Sequence, residues 1–111
     1  MNTFQKVYQL VKKVPQGKVT SYGEIAKKLR IGDVRVIGWA LHANRDFETP
    51  CHRVVNKKGE LAPGYVFGGW QKQKEKLLAE GVCFSGEREV DLKKSGFVFR
   101  PSGIGIEKMP S

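Results

Sequence analysis

Apolar residues repeat at helical spacing near the start of the chain. One stripe at positions i, i+3, i+4 and i+7 is formed by Phe4, Val7, Tyr8 and Val11. This spacing predicts an amphipathic helix with the four side chains on one face. We expect Thr3 to cap its start, and Pro15 and Gly17 to end it, since proline and glycine both interrupt helices.

Two shorter helical patterns follow. Ser21 and Glu24 have the spacing of a capping box, which predicts that a second helix begins there. Gly32 is expected to end this helix, and Asp33 to cap a third helix over residues 34–44. Two short helices joined by a tight glycine-containing turn are typical of a helix-turn-helix.

The outer face of the predicted third helix is unusual. It carries Arg35, Gly38, Trp39 and His42. A cation, an aromatic ring and a residue without a side chain suit contact with nucleic acid, although Gly38 lowers helix propensity by about 1 kcal/mol relative to alanine. The alternative is structural: Gly38 would permit close helix packing and Trp39 would be partly buried.

The second half of the chain contains short strand patterns and one more helix. Residues 53–55 and 60–61 are predicted strands, joined by a turn at 57–59 and followed by a glycine-rich loop at 63–69. A further helix over 70–80 should end at Gly81 and bury three apolar residues, Trp70, Leu77 and Leu78. The predicted fold is mostly α with a small β-hairpin, a winged helix-turn-helix-like arrangement.

Length and charge narrow the class of protein. The 111 residues suffice for one domain with one modest core, which we place at residues 1–100, followed by a flexible tail at 101–111. The formal net charge of +9 favours a polyanionic partner, nucleic acid first. Neither a membrane-spanning apolar run nor a signal-peptide pattern is present, so we expect a cytoplasmic protein without membrane contact.

The candidate chemistry lies in the segment Pro50-Cys51-His52-Arg53-Val54. Proline stiffens the backbone, and a thiol beside an imidazole and a guanidinium is a candidate nucleophile, because a nearby cation or base lowers a thiol pKa from its free value of about 8.5. Cys51 and Cys83 are expected to be free thiols. Together with two histidines they match no zinc-binding spacing, so we expect no metal and no diffusible cofactor.

Several blocks of the sequence together resemble the C-terminal domain of O6-alkylguanine-DNA alkyltransferases. In the family's order they are Pro15-x-Gly17-x-Val19-x-Ser21-Tyr22-Gly23-x-Ile25-Ala26, Arg35-Val36-Ile37-Gly38, Asn44, Pro50-Cys51-His52-Arg53-Val54, Gly64-Tyr65 with Gly68-Gly69, and Lys76-Leu77-Leu78-x-Glu80-Gly81. The resemblance covers roughly residues 4–82. It implies a protein that binds DNA with its helix-turn-helix and extrudes the damaged base, since the target atom is unreachable inside a stacked duplex.

The resemblance also implies roles for the candidate catalytic residues. Cys51 is the acceptor that keeps the alkyl group as a thioether, so the protein acts once. His52 is the base that deprotonates Cys51 through a water, and Glu80 orients His52. Asn44 braces the turn between the recognition helix and the active site. Tyr22 helps to protonate the leaving guanine and to rotate the nucleotide out of the stack.

Two groups of binding residues are implied as well. DNA contact is expected at Thr20, Ser21, Arg35, Gly38 and Trp39. The substrate pocket is expected to include Pro50, Val54, Tyr65, Val66 and Phe67. Within the first group, Arg35 is expected to fill the gap that the extruded base leaves. Arg53 is expected to form a structural ion pair rather than to contact DNA.

Three features depart from the family pattern. Trp39 is bulky where the family favours a small residue, and Phe67 replaces a small polar residue whose amide faces the guanine oxygen, in a loop one residue longer than usual. We expect Trp39 to affect how the predicted third helix sits on DNA, and Phe67 with the longer loop to affect the shape and substrate range of the pocket. Nothing before Phe4 resembles the family's usual N-terminal domain, which makes the chain similar in size to the alkyltransferase-like proteins.

The sequence therefore leaves three functions open. The first is direct reversal by a methylated-DNA–protein-cysteine methyltransferase, a monomer acting on double-stranded DNA that contains O6-alkylguanine. The second is a non-catalytic alkyltransferase-like protein that flags the lesion for nucleotide excision repair proteins. The third is a helix-turn-helix regulator with an incidental thiol. The intact Cys51-His52 pair, together with Tyr22, Asn44 and Glu80, favours the first.

Overall fold

The computed structural model describes residues 2–62 and 65–99, together with the backbone of residues 107 and 108. In this part of the chain the helices are α1 (Thr3–Val11), α2 (Tyr22–Leu29), α3 (Arg35–Ala43), α4 (Gly69–Ala79) and α5 (Leu92–Ser95), with a 3-10 turn at Cys51–Arg53. The strands are β1 (Thr20–Ser21), β2 (Val54–Val55), β3 (Phe84–Gly86), β4 (Glu89–Val90), β5 (Phe97–Val98) and β6 (Glu107–Lys108). None of the described helices combines the length and the apolar character needed to cross a membrane.

The first helix begins at a different cap from the one expected. Asn2, not Thr3, accepts a hydrogen bond from the backbone N–H of Gln5 at 2.9 Å. The Gln5 side chain in turn accepts from the backbone N–H of Asn2 at 3.0 Å, which completes a capping box. The prediction of Thr3 was wrong because the box places its acceptor three residues before Gln5.

Helices α2 and α3 form the predicted helix-turn-helix. The Ser21 hydroxyl accepts from the backbone N–H of Glu24 at 3.1 Å, so Ser21 caps α2 as expected. The helix stops before Gly32, however, because Arg30 adopts a left-handed conformation with φ of 59°. The N–H of Ile31 then donates to the Ala26 carbonyl at 2.8 Å, which closes the last turn.

The strand pairing differs from the predicted hairpin at 53–55 and 60–61. Arg53 belongs to the 3-10 turn, and β2 pairs in parallel with β1, Thr20 opposite Val54. Glu60 forms an isolated antiparallel bridge with Glu89 instead. The small β-hairpin of the fold is formed by β3 and β4, and β5 pairs antiparallel with β6.

Buried apolar residues form two clusters. The first joins α1, α2 and α3 with Cys51, Val54 and Tyr65. The second packs Val19, β2, α4 and the hairpin together and includes Val55 and Leu77. Fully burying a residue such as Leu77 contributes roughly 1.5–3 kcal/mol relative to leaving it exposed. The thiol therefore lies on a turn anchored to the helix-turn-helix.

One predicted core residue of α4 is wrong. Leu77 is fully buried and Trp70 is partly buried, but the Leu78 residue is 53% exposed. Gln73 and Leu77 lie four residues apart on the buried face of α4. Leu78 is the next residue along the helix and therefore points away from this face. The helix ends at Ala79 with Glu80 as its C-cap, and Gly81 has the positive φ expected of a helix stop.

Of the predicted segments, the glycine-rich loop lies partly, and the tail largely, outside the described residues. Pro63 and Gly64 of the glycine-rich loop are not described, and of the tail at 101–111 only the β6 backbone is described. The division into a domain at 1–100 and a flexible tail stays a prediction.

Candidate functional site

Cys51 lies at the start of the 3-10 turn and faces a cavity. The residue is 4% exposed, and Pro50 precedes the turn as its N-cap. The cavity has a volume of about 200 Å³. Its other described lining residues are Tyr22, Gly38, Leu41, His42, Ala62, Tyr65 and Val66. Residues of α2, α3 and the loop before α4 thus surround a single thiol.

Asn44 connects the end of α3 to the thiol. Its side-chain N–H₂ donates to the Cys51 sulfur at 3.3 Å and to the Asp46 carbonyl at 2.9 Å. Its side-chain oxygen accepts from the backbone N–H of Asp46 at 3.1 Å. The residue is 2% exposed, so these bonds form in a nearly dry environment. Asn44 therefore fixes both the turn after α3 and the position of the sulfur.

Burial dominates the acidity of the thiol. It raises the pKa of Cys51 to about 11, against the opposing effect of the hydrogen bond from Asn44, which lowers the pKa. The sulfur of the free protein is consequently a thiol at neutral pH. A reaction that needs the thiolate must remove this proton at the moment of attack.

His52, Arg53 and Glu80 form a compact hydrogen-bonded cluster directly after Cys51 in the chain. His52 Nε2 lies 2.9 Å from Glu80 Oε2. Arg53 donates from Nε to Oε1 at 3.0 Å and from Nη2 to Oε2 at 2.7 Å, and its Nη1 donates to the Val14 carbonyl at 2.8 Å. The side chains are only 12–16% exposed. The expected ion pair of Arg53 is present in the structure.

The charge states of this cluster follow from burial and hydrogen bonding. Burial lowers the pKa of His52, although Glu80 opposes the shift, so the imidazole is neutral at neutral pH. Burial raises the pKa of Glu80, but the hydrogen bonds from Arg53 and His52 outweigh it and leave that pKa below its ordinary value. An ionised carboxylate accepts, so Nε2 of His52 carries the proton. Nδ1 then has a free lone pair and no hydrogen-bond partner among the described residues.

Gln73 on α4 supports the site and was missed by sequence reasoning. The residue is fully buried, and its side-chain N–H₂ donates to the carbonyls of His52 and Val54 at 3.1 and 3.0 Å. Its side-chain oxygen accepts from the Ala62 N–H at 2.9 Å. The sequence signal for the burial of Gln73 was its position four residues before Leu77, on the same face of the helix.

The structure places only two of the five predicted pocket residues at the cavity. Tyr65 and Val66 line it. Val54 is turned into the first core cluster, and Pro50 caps the 3-10 turn. Phe67 instead packs against Phe47, with ring centroids 4.6 Å apart. Tyr22 shares the cavity with Cys51, and burial raises its pKa, which keeps its hydroxyl protonated.

The predicted DNA-contacting residues divide into exposed and buried sets. Arg35 is exposed and its guanidinium is paired with Asp33 at 2.9 Å. Trp39 is 58% exposed. A Cβ built at Gly38 would meet no atom within 4 Å, so close helix packing does not require this glycine. It lines the cavity instead.

The other two residues predicted to contact DNA have buried side chains. Thr20 is 0% exposed and Ser21 5% exposed, because both lie in β1 against β2. The Ser21 hydroxyl is also engaged as the cap of α2. Neither side chain is available at the surface for DNA.

We predict that Asn44→Ala slows alkylation of Cys51 by iodoacetamide about tenfold at fixed pH, because loss of the amide donor raises the thiol pKa further above about 11. A Cys83→Ser background removes the exposed second thiol. Intact mass against time measures the rate, which in both proteins should climb about tenfold per pH unit through alkaline pH. Asn56→Ala, which removes turn hydrogen bonds elsewhere, is the matched control. Equal rates with and without Asn44 would contradict the prediction.

Fold and site together define a helix-turn-helix domain that presents a thiol in a cavity beside its recognition helix. The family model described as the 6-O-methylguanine DNA methyltransferase DNA binding domain matches residues 2–82. The chain belongs to this family, which confirms the resemblance seen in the sequence. Groups of three potential metal ligands are absent from the described part of the chain.

Relatives of two kinds match the chain. Alkyltransferase-like protein 1 of Schizosaccharomyces pombe is 38% identical over 81 residues, which cover 71% of this chain and 75% of the relative. The methylated-DNA–protein-cysteine methyltransferase of Salmonella typhimurium is 39% identical over 79 residues, covering 69% and 45% respectively. Among solved structures, S. pombe Atl1 in complex with damaged DNA containing O6-carboxymethylguanine matches with a TM-score of 0.71 at 32% identity, covering 91% of this chain and 100% of that one. This neighbour confirms the predicted fold class.

Proposed function

We propose that this protein transfers an alkyl group from O6-alkylguanine in double-stranded DNA to Cys51, once per molecule. The observation that carries the proposal is the arrangement at the sulfur. Cys51 faces a cavity, accepts a hydrogen bond from Asn44 and directly precedes His52, whose neutral imidazole is held by Glu80. A nucleophile, a base and a group that orients the base are the parts that thiol chemistry needs.

The transfer balances without an added cofactor. The sulfur attacks the alkyl carbon, an S–C bond forms, and the C–O6 bond breaks with its electron pair left on the guanine oxygen. The thiol proton passes through a water to the free Nδ1 of His52. The guanine recovers a proton from the Tyr22 hydroxyl, which lines the same cavity and stays protonated in the folded protein.

The proposed DNA surface is the exposed side of α3. Arg35 and Trp39 are accessible there, and Gly38 opens the helix face towards the cavity. Extrusion of the nucleotide brings its base from this surface to the sulfur. The net charge of +9 supports phosphate contact around the site.

The test is intact mass after incubation with a duplex that contains O6-methylguanine. We expect the protein to gain one methylene unit, stoichiometrically and only once. Cys51→Ala should bind the same duplex and gain nothing, whereas Cys83→Ser should react like the parent. Protein that binds the duplex and shows no added mass would overturn the transfer.

A second candidate is damage recognition without transfer. It is favoured by the thiol pKa of about 11 and by the fact that the described partner of the sulfur is a donor, Asn44, and not a base. In this case the chain would hold the lesion and attract nucleotide excision repair proteins. The same measurement separates the two, since this candidate requires tight lesion binding with Cys51 unmodified.

A further inference from the structure

Lys76 of α4 is held against one wall of the cavity. Its ammonium donates to the Tyr65 hydroxyl oxygen at 2.9 Å. The same nitrogen lies 5.3 Å from the Tyr65 ring centroid and 5.4 Å from that of Phe67. Phe67 is in turn stacked on Phe47. Two aromatic rings and a hydroxyl thus fix a cation beside the cavity, where cation–π attraction is worth about 0.5–2 kcal/mol.

Tyr65 has an unused donor. The residue is 7% exposed and lines the cavity with Cys51. Its oxygen accepts from Lys76, and its own O–H has no acceptor among the described residues. A buried hydroxyl without an acceptor is unfavourable by about 1–3 kcal/mol, so an acceptor in the cavity would be bound preferentially.

Lys76 supplies the positive charge on this wall of the cavity. Glu80 is paired with Arg53, and Asp46 is paired with Lys12 at 3.6 Å. The charge of Lys76 reaches the site, since it lowers the pKa of both Cys51 and His52. Lys76 makes no carboxylate ion pair among the described residues.

We propose that Tyr65 and Lys76 select alkylguanines whose O6 substituent carries a carboxylate, such as O6-carboxymethylguanine. This selectivity rests on the proposed entry of the lesion into the Cys51 cavity. The Tyr65 O–H donates to the substituent carboxylate, and the Lys76 ammonium behind it strengthens that donor and supplies the opposite charge. The structural neighbour complexed with DNA containing O6-carboxymethylguanine shows that the same fold accommodates such a lesion.

The test compares binding of three duplexes that differ only at the lesion: O6-carboxymethylguanine, its neutral isostere O6-carbamoylmethylguanine, and O6-methylguanine. Fluorescence anisotropy with Cys51→Ala protein separates binding from transfer. We expect the carboxymethyl duplex to bind about tenfold more tightly than the carbamoylmethyl duplex, the difference made by one charge-assisted hydrogen bond. Lys76→Met and Tyr65→Phe should each bring this ratio close to one, and Lys76→Arg should restore it.

Lys72→Met is the matched control. It removes a lysine of the same helix that pairs with Glu75 at the surface, so it should weaken all three duplexes equally and leave their ratio unchanged. A ratio of one in the protein with Lys76 intact overturns the selectivity and leaves lesion binding standing. No preference for any O6-alkylguanine over undamaged guanine overturns both.

Discussion

Glu80→Gln is expected to lower the free energy of unfolding by about 3 kcal/mol and to slow alkyl transfer about a hundredfold. The loss of stability arises because Arg53, whose side chain is 16% exposed, keeps a buried charge without its carboxylate. The loss of rate arises because a neutral amide no longer holds His52 in the tautomer that frees Nδ1. Urea unfolding measures the first effect, and the time course of added mass measures the second.

The difference in the free energy of unfolding between the parent and Glu80→Gln should depend on pH in a defined direction. The pKa of Glu80 is held below its ordinary value of 4.5. The stabilisation that the ionised carboxylate provides is therefore complete above pH 4.5 and is lost as the pH falls through the folded-state pKa. The stability gap between the parent and Glu80→Gln should therefore close in acid. Glu75→Gln, on the same helix with a side chain 70% exposed, should change stability by less than about 0.5 kcal/mol. A constant gap down to strongly acidic pH would contradict this account.

Gln73→Leu should also destabilise the protein by about 3 kcal/mol, although leucine has a similar volume. The substitution leaves the N–H of Ala62 and the carbonyls of His52 and Val54 without their side-chain partner in a buried region. Because one of these carbonyls belongs to His52, transfer should slow as well. Chemical denaturation and the mass assay measure the two effects.

Gln71→Leu is the control for this substitution. Gln71 is exposed on α4, so its replacement should stay within about 0.5 kcal/mol of the parent. Equal stability of Gln73→Leu and Gln71→Leu would show that the buried hydrogen bonds do not hold the site together.

Local patterns predicted the positions of the helices well. The periodic stripe of α1 and the Ser21 cap of α2 depend on neighbours three or four residues away, and such neighbours are visible in the sequence. The segment around Cys51 combined a stiff backbone with three reactive groups in consecutive positions. Its relation to Glu80, a residue at the far end of α4, came from the family resemblance and not from any local signal.

Long-range contacts account for what sequence reasoning missed. β2 pairs with β1, more than thirty positions earlier, and this pairing buries Thr20 and Ser21, which had been assigned to DNA contact. A valine such as Val54 suits both a pocket wall and a hydrophobic core, so the residue type alone could not decide between these two positions. Gln73 is polar, and its polarity alone does not signal that its side chain is buried with three hydrogen bonds.

The parallel pairing of β1 with β2 has a mechanical consequence. It joins the residue that starts α2 to the residues that directly follow the thiol turn, while Asn44 ties the end of α3 to the sulfur itself. The helix-turn-helix and the reacting sulfur are thus joined by two separate connections among the described residues. If the proposed transfer occurs, we expect the nucleotide, rather than the sulfur, to make the larger displacement.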